Sequence, residues 1–166
     1  MRRRTLLKVG LAGGAILVVA GGAVLIRRRR APDAAADPGT RIVLRSVMPA
    51  LLAEALPADP AARARALEGA LRRSLATIAA LPPATRAELG KLFSLLASAP
   101  GRWLAGIDDW ESASVGEVDA FLQRWRTHSF DLFQAGYHAL HDLVLGPYYA
   151  DASTWDAIGY PGPIDL

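Results

Sequence analysis

The chain has three histidines, His128, His138 and His141. His138 and His141 stand three apart, so on a helix they share a face, with Asp142 beside them. Two imidazoles at that spacing could ligate a divalent metal. No Glu-x-x-His pair on another helical stretch completes such a site, and there is no HExxH. The pair therefore reads as two partly exposed histidines beside a core stripe. Asp108, Asp109 and Glu111 bracket Trp110 and could form an acid cluster. The sequence favours a charged loop ahead of a helix start over such a cluster. No glycine-rich phosphate loop follows a strand, and there is no GxSxG and no nucleophile with a convincing base. The absence of Cys rules out disulfides, thiolate-bound zinc, iron–sulfur clusters and CxxCH haem attachment. From its residues the chain is not an enzyme, with no catalytic, cofactor-binding or metal-binding residue of its own.

The elements around these residues read as helices. Ile42, Leu44, Val47, Leu51, Leu52 and Leu56 recur at helical spacing, with Pro49 as a kink or break. Asp59 followed by Pro60 is an N-cap with proline at the first helical position. The stripe of that helix is Leu67, Leu71, Leu75 and Ile78, and Pro82-Pro83 ends it. Leu89, Leu92, Phe93 and Leu96 make the next stripe, broken at Pro100-Gly101. A single helical turn is expected around Trp103-Leu104. Ser114 and Glu117 form a capping box ahead of Val118, Phe121, Leu122 and Trp125. Phe130, Phe133, Tyr137, Leu140 and Val144 trace a last long helix, stopped at Gly146-Pro147. No stretch alternates with period two, and there is no internal repeat. The expected fold is all-α: a small bundle of about five helices over residues 40–146. A hydrophobic leader helix precedes it, and an irregular aromatic, Pro- and Gly-rich tail follows over residues 147–166.

The net charge of +3 conceals a partition. Eight basic residues lie in the first thirty positions, whereas from Asp37 onward 11 basic residues face 15 acidic ones, a net of −4. The basic pI belongs to the leader, so the body gives no warrant for nucleic-acid binding. The leader, residues 1–30, carries Arg3-Arg4-Thr5-Leu6-Leu7-Lys8, which resembles a twin-arginine translocation signal. The site candidates for export are Arg3, Arg4, Leu6, Leu7 and Lys8. Residues 9–26 are apolar but diluted by five glycines, as suits that route. At about 1.5 Å each they span about 27 Å, so a plain membrane anchor is the competing reading. Arg27, Arg28, Arg29 and Arg30 oppose Sec insertion with that end outside. Ala34-Ala35-Ala36 offers a cleavage site, so a cleaved and a retained leader both stand open. Residues 31–39 read as a flexible linker.

The tail reads GPYYADASTWDAIGYPGP. This stretch resembles the C-terminal signature of the gluconate 2-dehydrogenase subunit 3 family, in which a Tyr-Tyr stretch leads to a Trp and a Gly-Tyr-Pro-Gly-Pro ending. The matching positions are Tyr148, Tyr149, Trp155, Ile158, Gly159, Tyr160, Pro161, Gly162 and Pro163. Family members often carry a longer loop than residues 150–154 here. The resemblance implies a non-catalytic, periplasmic small subunit exported by the twin-arginine translocase. It implies a large flavin-dependent oxidoreductase partner of the glucose–methanol–choline type, with FAD in that partner and no cofactor in this chain. Electrons would pass to a cytochrome c subunit or another acceptor, and an uncleaved leader would hold the complex at the inner membrane. Tyr and Trp are enriched at interface hot spots, and prolines limit the entropy lost on docking. Tyr148, Tyr149, Trp155, Tyr160, Pro161 and Pro163 are thus the partner-docking candidates, with packing of the tail on its own bundle as the competing expectation. The alternative function is a free-standing, membrane-anchored helical scaffold or binding protein.

Overall fold

The computed structural model describes residues 33–155 and 158–162. The leader, with Arg3, Arg4, Leu6, Leu7, Lys8, residues 9–26 and Arg27 to Arg30, lies outside the described residues, as does Pro163. Among the described residues there are six helices and no strand, so the fold is all-α. They are α1 (Pro38–Leu51), α2 (Pro60–Ala80), α3 (Pro83–Ala97), α4 (Ala99–Ala105), α5 (Val115–Arg126) and α6 (Asp131–Tyr149). A short 3₁₀ turn, Ala152–Thr154, follows.

α1 is the central helix and packs against α2, α3, α5 and α6. Its buried side chains are correspondingly spread over a wide stripe: Thr40, Val43, Leu44, Val47 and Met48. It begins where Asp37 accepts the Thr40 amide at 3.1 Å, with Pro38 in the first turn. The end of the expected linker is therefore built into the bundle. Ala34 is fully buried, and the Asp37 amide closes a turn on the Asp33 carbonyl at 3.0 Å. Pro49 does not break α1, because it stands in the last turn and removes only one terminal hydrogen bond.

The start of α2 is as expected, with Asp59 accepting the Ala62 amide at 2.6 Å. It stops before Leu81, which is extended as a residue ahead of proline must be. Pro100-Gly101 does not break the chain. Both lie in the first turn of α4, where proline needs no amide, and Ser98 caps that helix. The single turn expected around Trp103-Leu104 is thus a seven-residue helix. At α5 the capping box is present in full, and Val118, Phe121, Leu122 and Trp125 are all buried.

α6 departs from expectation at both ends. Phe130 is its N-cap and is 66% exposed, because a residue ahead of the first turn is not aimed by helical periodicity. Leu140 and Val144 are fully buried, while Phe133 and Tyr137 are half-buried. Gly146-Pro147 does not stop the helix. Gly146 lacks the positive φ of a terminating glycine, and Pro147 sits in the final turn, so α6 runs to Tyr149. The tail therefore starts after the tyrosine pair.

An aromatic file joins α5 and α6. Trp110, Phe121, Trp125 and Phe133 meet edge to face in sequence, with centroids 5.5, 4.8 and 5.2 Å apart. Trp110 is a core residue of the loop before α5. Its indole donates to the Leu96 carbonyl at 2.8 Å, and its own carbonyl accepts from the Ser46 hydroxyl.

Candidate functional site

His138 is exposed, and His141 is half-buried with its Nδ1 3.0 Å from Asp142. Tyr137 lies against both imidazoles, with centroids 5.3 and 5.7 Å away. Among the described residues no group of three or more His, Asp or Glu side chains could hold a metal ion. Asp108, Asp109 and Glu111 are exposed and do not converge on one point of chemistry. Asp109 instead fixes the turn into α5, accepting the amide and hydroxyl of Ser112 at 3.1 and 2.9 Å. Those bonds, the hydroxyl first, hold its carboxyl below the ordinary value. A shallow groove of about 240 Å³ between α1 and α2 is lined by Met48, Leu67, Leu71 and the Arg45–Glu68 ion pair.

The structure divides the tail's candidate residues into two groups. Tyr148 is only 3% exposed, and its hydroxyl donates to the Ala55 carbonyl at 2.8 Å. It is a bundle residue and has no surface to offer a partner, which corrects its place among the docking candidates. Burial pushes its phenol above the ordinary value. Tyr149 is half-buried and meets Tyr148 edge to face at 5.2 Å. Trp155 is half-buried too, and its indole donates to the Tyr149 carbonyl at 2.8 Å. The chain after Trp155 doubles back, because the Tyr160 amide returns to the Trp155 carbonyl at 3.0 Å. That turn needs the positive φ of Gly159 (69°); beyond it Gly162 (95°) is buried, and a Cβ there would stand 3.3 Å from Cζ3 of the indole. Tyr160 then meets Trp155 edge to face at 5.1 Å.

The outer side of this fold-back is open. Ile158 is 49% and Tyr160 45% exposed, and Pro161 is exposed beside them. Trp155 thus binds the tail to α6 and Gly162 packs against Trp155, while Ile158, Tyr160 and Pro161 face outward.

The residues that fasten this arrangement were not evident in the sequence. Arg73 lies off the apolar stripe of α2. It reaches across to α6, donating to the Pro147 carbonyl at 3.0 Å and to the Asp151 carboxylate at 2.7 Å. Asp151 also accepts from the amide and hydroxyl of Ser153, at 3.0 and 2.8 Å. The Ser153 hydroxyl is the main reason its carboxyl sits below the ordinary value. Thr154 donates to the Asp151 carbonyl at 2.8 Å and closes the loop. The one signal available was the Asp-x-Ser spacing, which forms an Asx-type turn.

Comparison of the chain with protein-family models, with curated proteins and with solved structures finds no match.

Proposed function

We propose that this chain is a non-catalytic small subunit that carries a periplasmic FAD-dependent alcohol or sugar dehydrogenase through the twin-arginine route and stabilises it. The observation that carries this reading is the tail, whose Tyr-Tyr, Trp and Gly-Tyr-Pro-Gly pattern resembles the gluconate 2-dehydrogenase subunit 3 family. Its conformation supports contact rather than catalysis. Ile158, Tyr160 and Pro161 stand outward on a fold-back fixed by Trp155, so a partner meets a surface whose ordering entropy has already been spent. The arginine pair Arg3-Arg4 supports the export half of the reading. A translocase that carries folded cargo lets the large subunit load FAD before it leaves the cytoplasm. The chain itself supplies the address and the grip.

The test is co-expression of the tagged full chain with a leaderless flavoprotein of the glucose–methanol–choline type from the same genome. FAD-loaded enzyme should reach the periplasm with the native chain and remain in the cytoplasm with Arg3→Lys/Arg4→Lys. An unchanged periplasmic level would refute the carrier function. Recovery of the chain as a monomer with no flavoprotein attached would favour a free-standing membrane-anchored scaffold.

A further inference from the structure

α4 holds an unusual surface. Trp103 is 83% and Leu104 41% exposed, and Leu95, near the end of α3, is exposed too. A helix of seven residues has no stability of its own, yet this one is clamped on every side. Arg102 donates to the Asp108 carbonyl and to the Ala97 carbonyl, each at 2.9 Å. Gly101 lies so close to α3 that a Cβ there would stand 1.8 Å from the Leu95 carbonyl oxygen. Gly106, in the left-handed region, ends the helix, and the Arg124 guanidinium from α5 binds the Ala105 carbonyl. The bundle thus holds an indole rigidly out in water, where burial on a partner would be worth more than on any other described side chain.

The position of α4 says what covers it. Gly39, in the first turn of α1, touches the end of α3: a Cβ on it would stand 2.9 Å from that of Ala97. Ala97 is two residues before α4. The chain therefore comes into the bundle beside the α3–α4 junction, through the packed turn at Asp33 to Asp37. Six residues, Arg27 to Pro32, separate that turn from Ile26 at the end of the apolar run, a reach of at most about 25 Å when fully extended. Residues 9–26 are long enough to cross a hydrocarbon core. If they do, the tether keeps α4 within reach of the membrane surface.

We infer that α4 rests on the phospholipid bilayer, with Trp103 and Leu104 seated at the boundary between headgroups and acyl chains. This rests on the leader being retained rather than cleaved, and is independent of which enzyme the chain carries. Trp favours that boundary because its ring is apolar and its N–H finds water or headgroup oxygen. Asp108, Asp109 and Glu111 follow α4, so acidic headgroups are not the attraction. The contact of α4 itself is apolar, so it needs no anionic lipid and is insensitive to salt, whatever Arg27 to Arg30 add at the end of the leader.

Because the chain has no Cys, a single thiol can report on it. Trp103→Cys in the full chain is labelled with an environment-sensitive fluorophore and reconstituted into phosphatidylcholine vesicles containing a spin-labelled lipid. Arg65→Cys, exposed on α2, is the control. The label at position 103 should shift to the blue, lose most of its emission to the lipid quencher and resist aqueous iodide, at low and high salt alike. The control should show the reverse, and matching circular dichroism of both variants verifies folding. A label at position 103 that stays open to iodide and is untouched by the lipid quencher overturns the inference. Protection from iodide without lipid quenching also overturns it, by assigning the face to a protein. So does recovery from cells of a chain that lacks residues 9–26 and does not bind the vesicles. Lipid quenching with failed co-export would sink the carrier function alone, and the opposite pair of results would sink the membrane contact alone.

Discussion

At the scale of single residues, the glycines separate what the sequence makes plain from what it hides. Gly136 and Gly116 both look like weak points in helices, since glycine costs about 1 kcal/mol against alanine. Their surroundings differ. A Cβ on Gly136 would stand 2.5 Å from Cζ3 of Trp125, whose ring is wedged between Phe121 and Phe133 and cannot retreat. A Cβ on Gly116 meets nothing within 4 Å. Gly136→Ala should therefore be destabilising, because overpacking costs about 1–3 kcal/mol and outweighs the gain in propensity. Gly116→Ala should stabilise by up to about 1 kcal/mol. Urea unfolding of the two variants checks the difference in sign. Sequence alone placed Phe121 and Trp125 in the core by their spacing. It left Trp110 in a charged loop, because neighbouring carboxylates hide an indole that turns inward to a backbone carbonyl.

At the scale of elements, the starts of α2 and α5 and the stop of α2 were legible, while the starts of α1 and α4 and the stops of α1 and α6 were not. Asp59 and Ser114 act through bonds to amides within three residues, so a local pattern suffices, whereas Asp37 caps α1 from within the expected linker. The ends of α1 and α6 depend on tertiary packing, which carries both helices past their prolines. The loop after α6 likewise depends on Arg73, which is distant in sequence, and it makes a pH prediction. The Asp151 carboxyl is held below its ordinary value of 3.8 by Ser153 and, in smaller part, by Arg73. A depressed carboxyl contributes its stabilisation fully above the unfolded value and loses it as the pH falls through the folded one. The loop should thus be intact from neutral pH down to about 4 and loosen below it. The Trp155 indole N–H, bound to the Tyr149 carbonyl, reports this by NMR. Its resonance should move toward the position of a free indole at low pH. In Asp151→Asn it should be shifted already at neutral pH and show no such step.

At the scale of the whole molecule, two apolar surfaces sit on differently built supports. The outward side of the tail is held by one indole, two glycines of positive φ and the Arg73–Asp151 pair, while the core beneath it is closed by Tyr148. The surface of Ile158 therefore contributes little to the bundle. Ile158→Asp should leave stability within about 0.5 kcal/mol, as for surface changes away from caps and cores. A partner that buries this side chain would instead have to desolvate a carboxylate without a counter-ion, a cost of several kcal/mol. Co-export of the flavoprotein should then fall by more than tenfold, since each 1.4 kcal/mol is a factor of ten in affinity. Tyr148→Phe is the counterpart. It removes the hydrogen bond to Ala55 and should cost the bundle about 1 kcal/mol while leaving the outward surface and the co-export intact. Thermal unfolding and a periplasmic fractionation assay on the two variants separate the roles. Equal loss of export in both would mean that the tail acts only by stabilising its own chain, and Ile158 would lose its place in the docking surface.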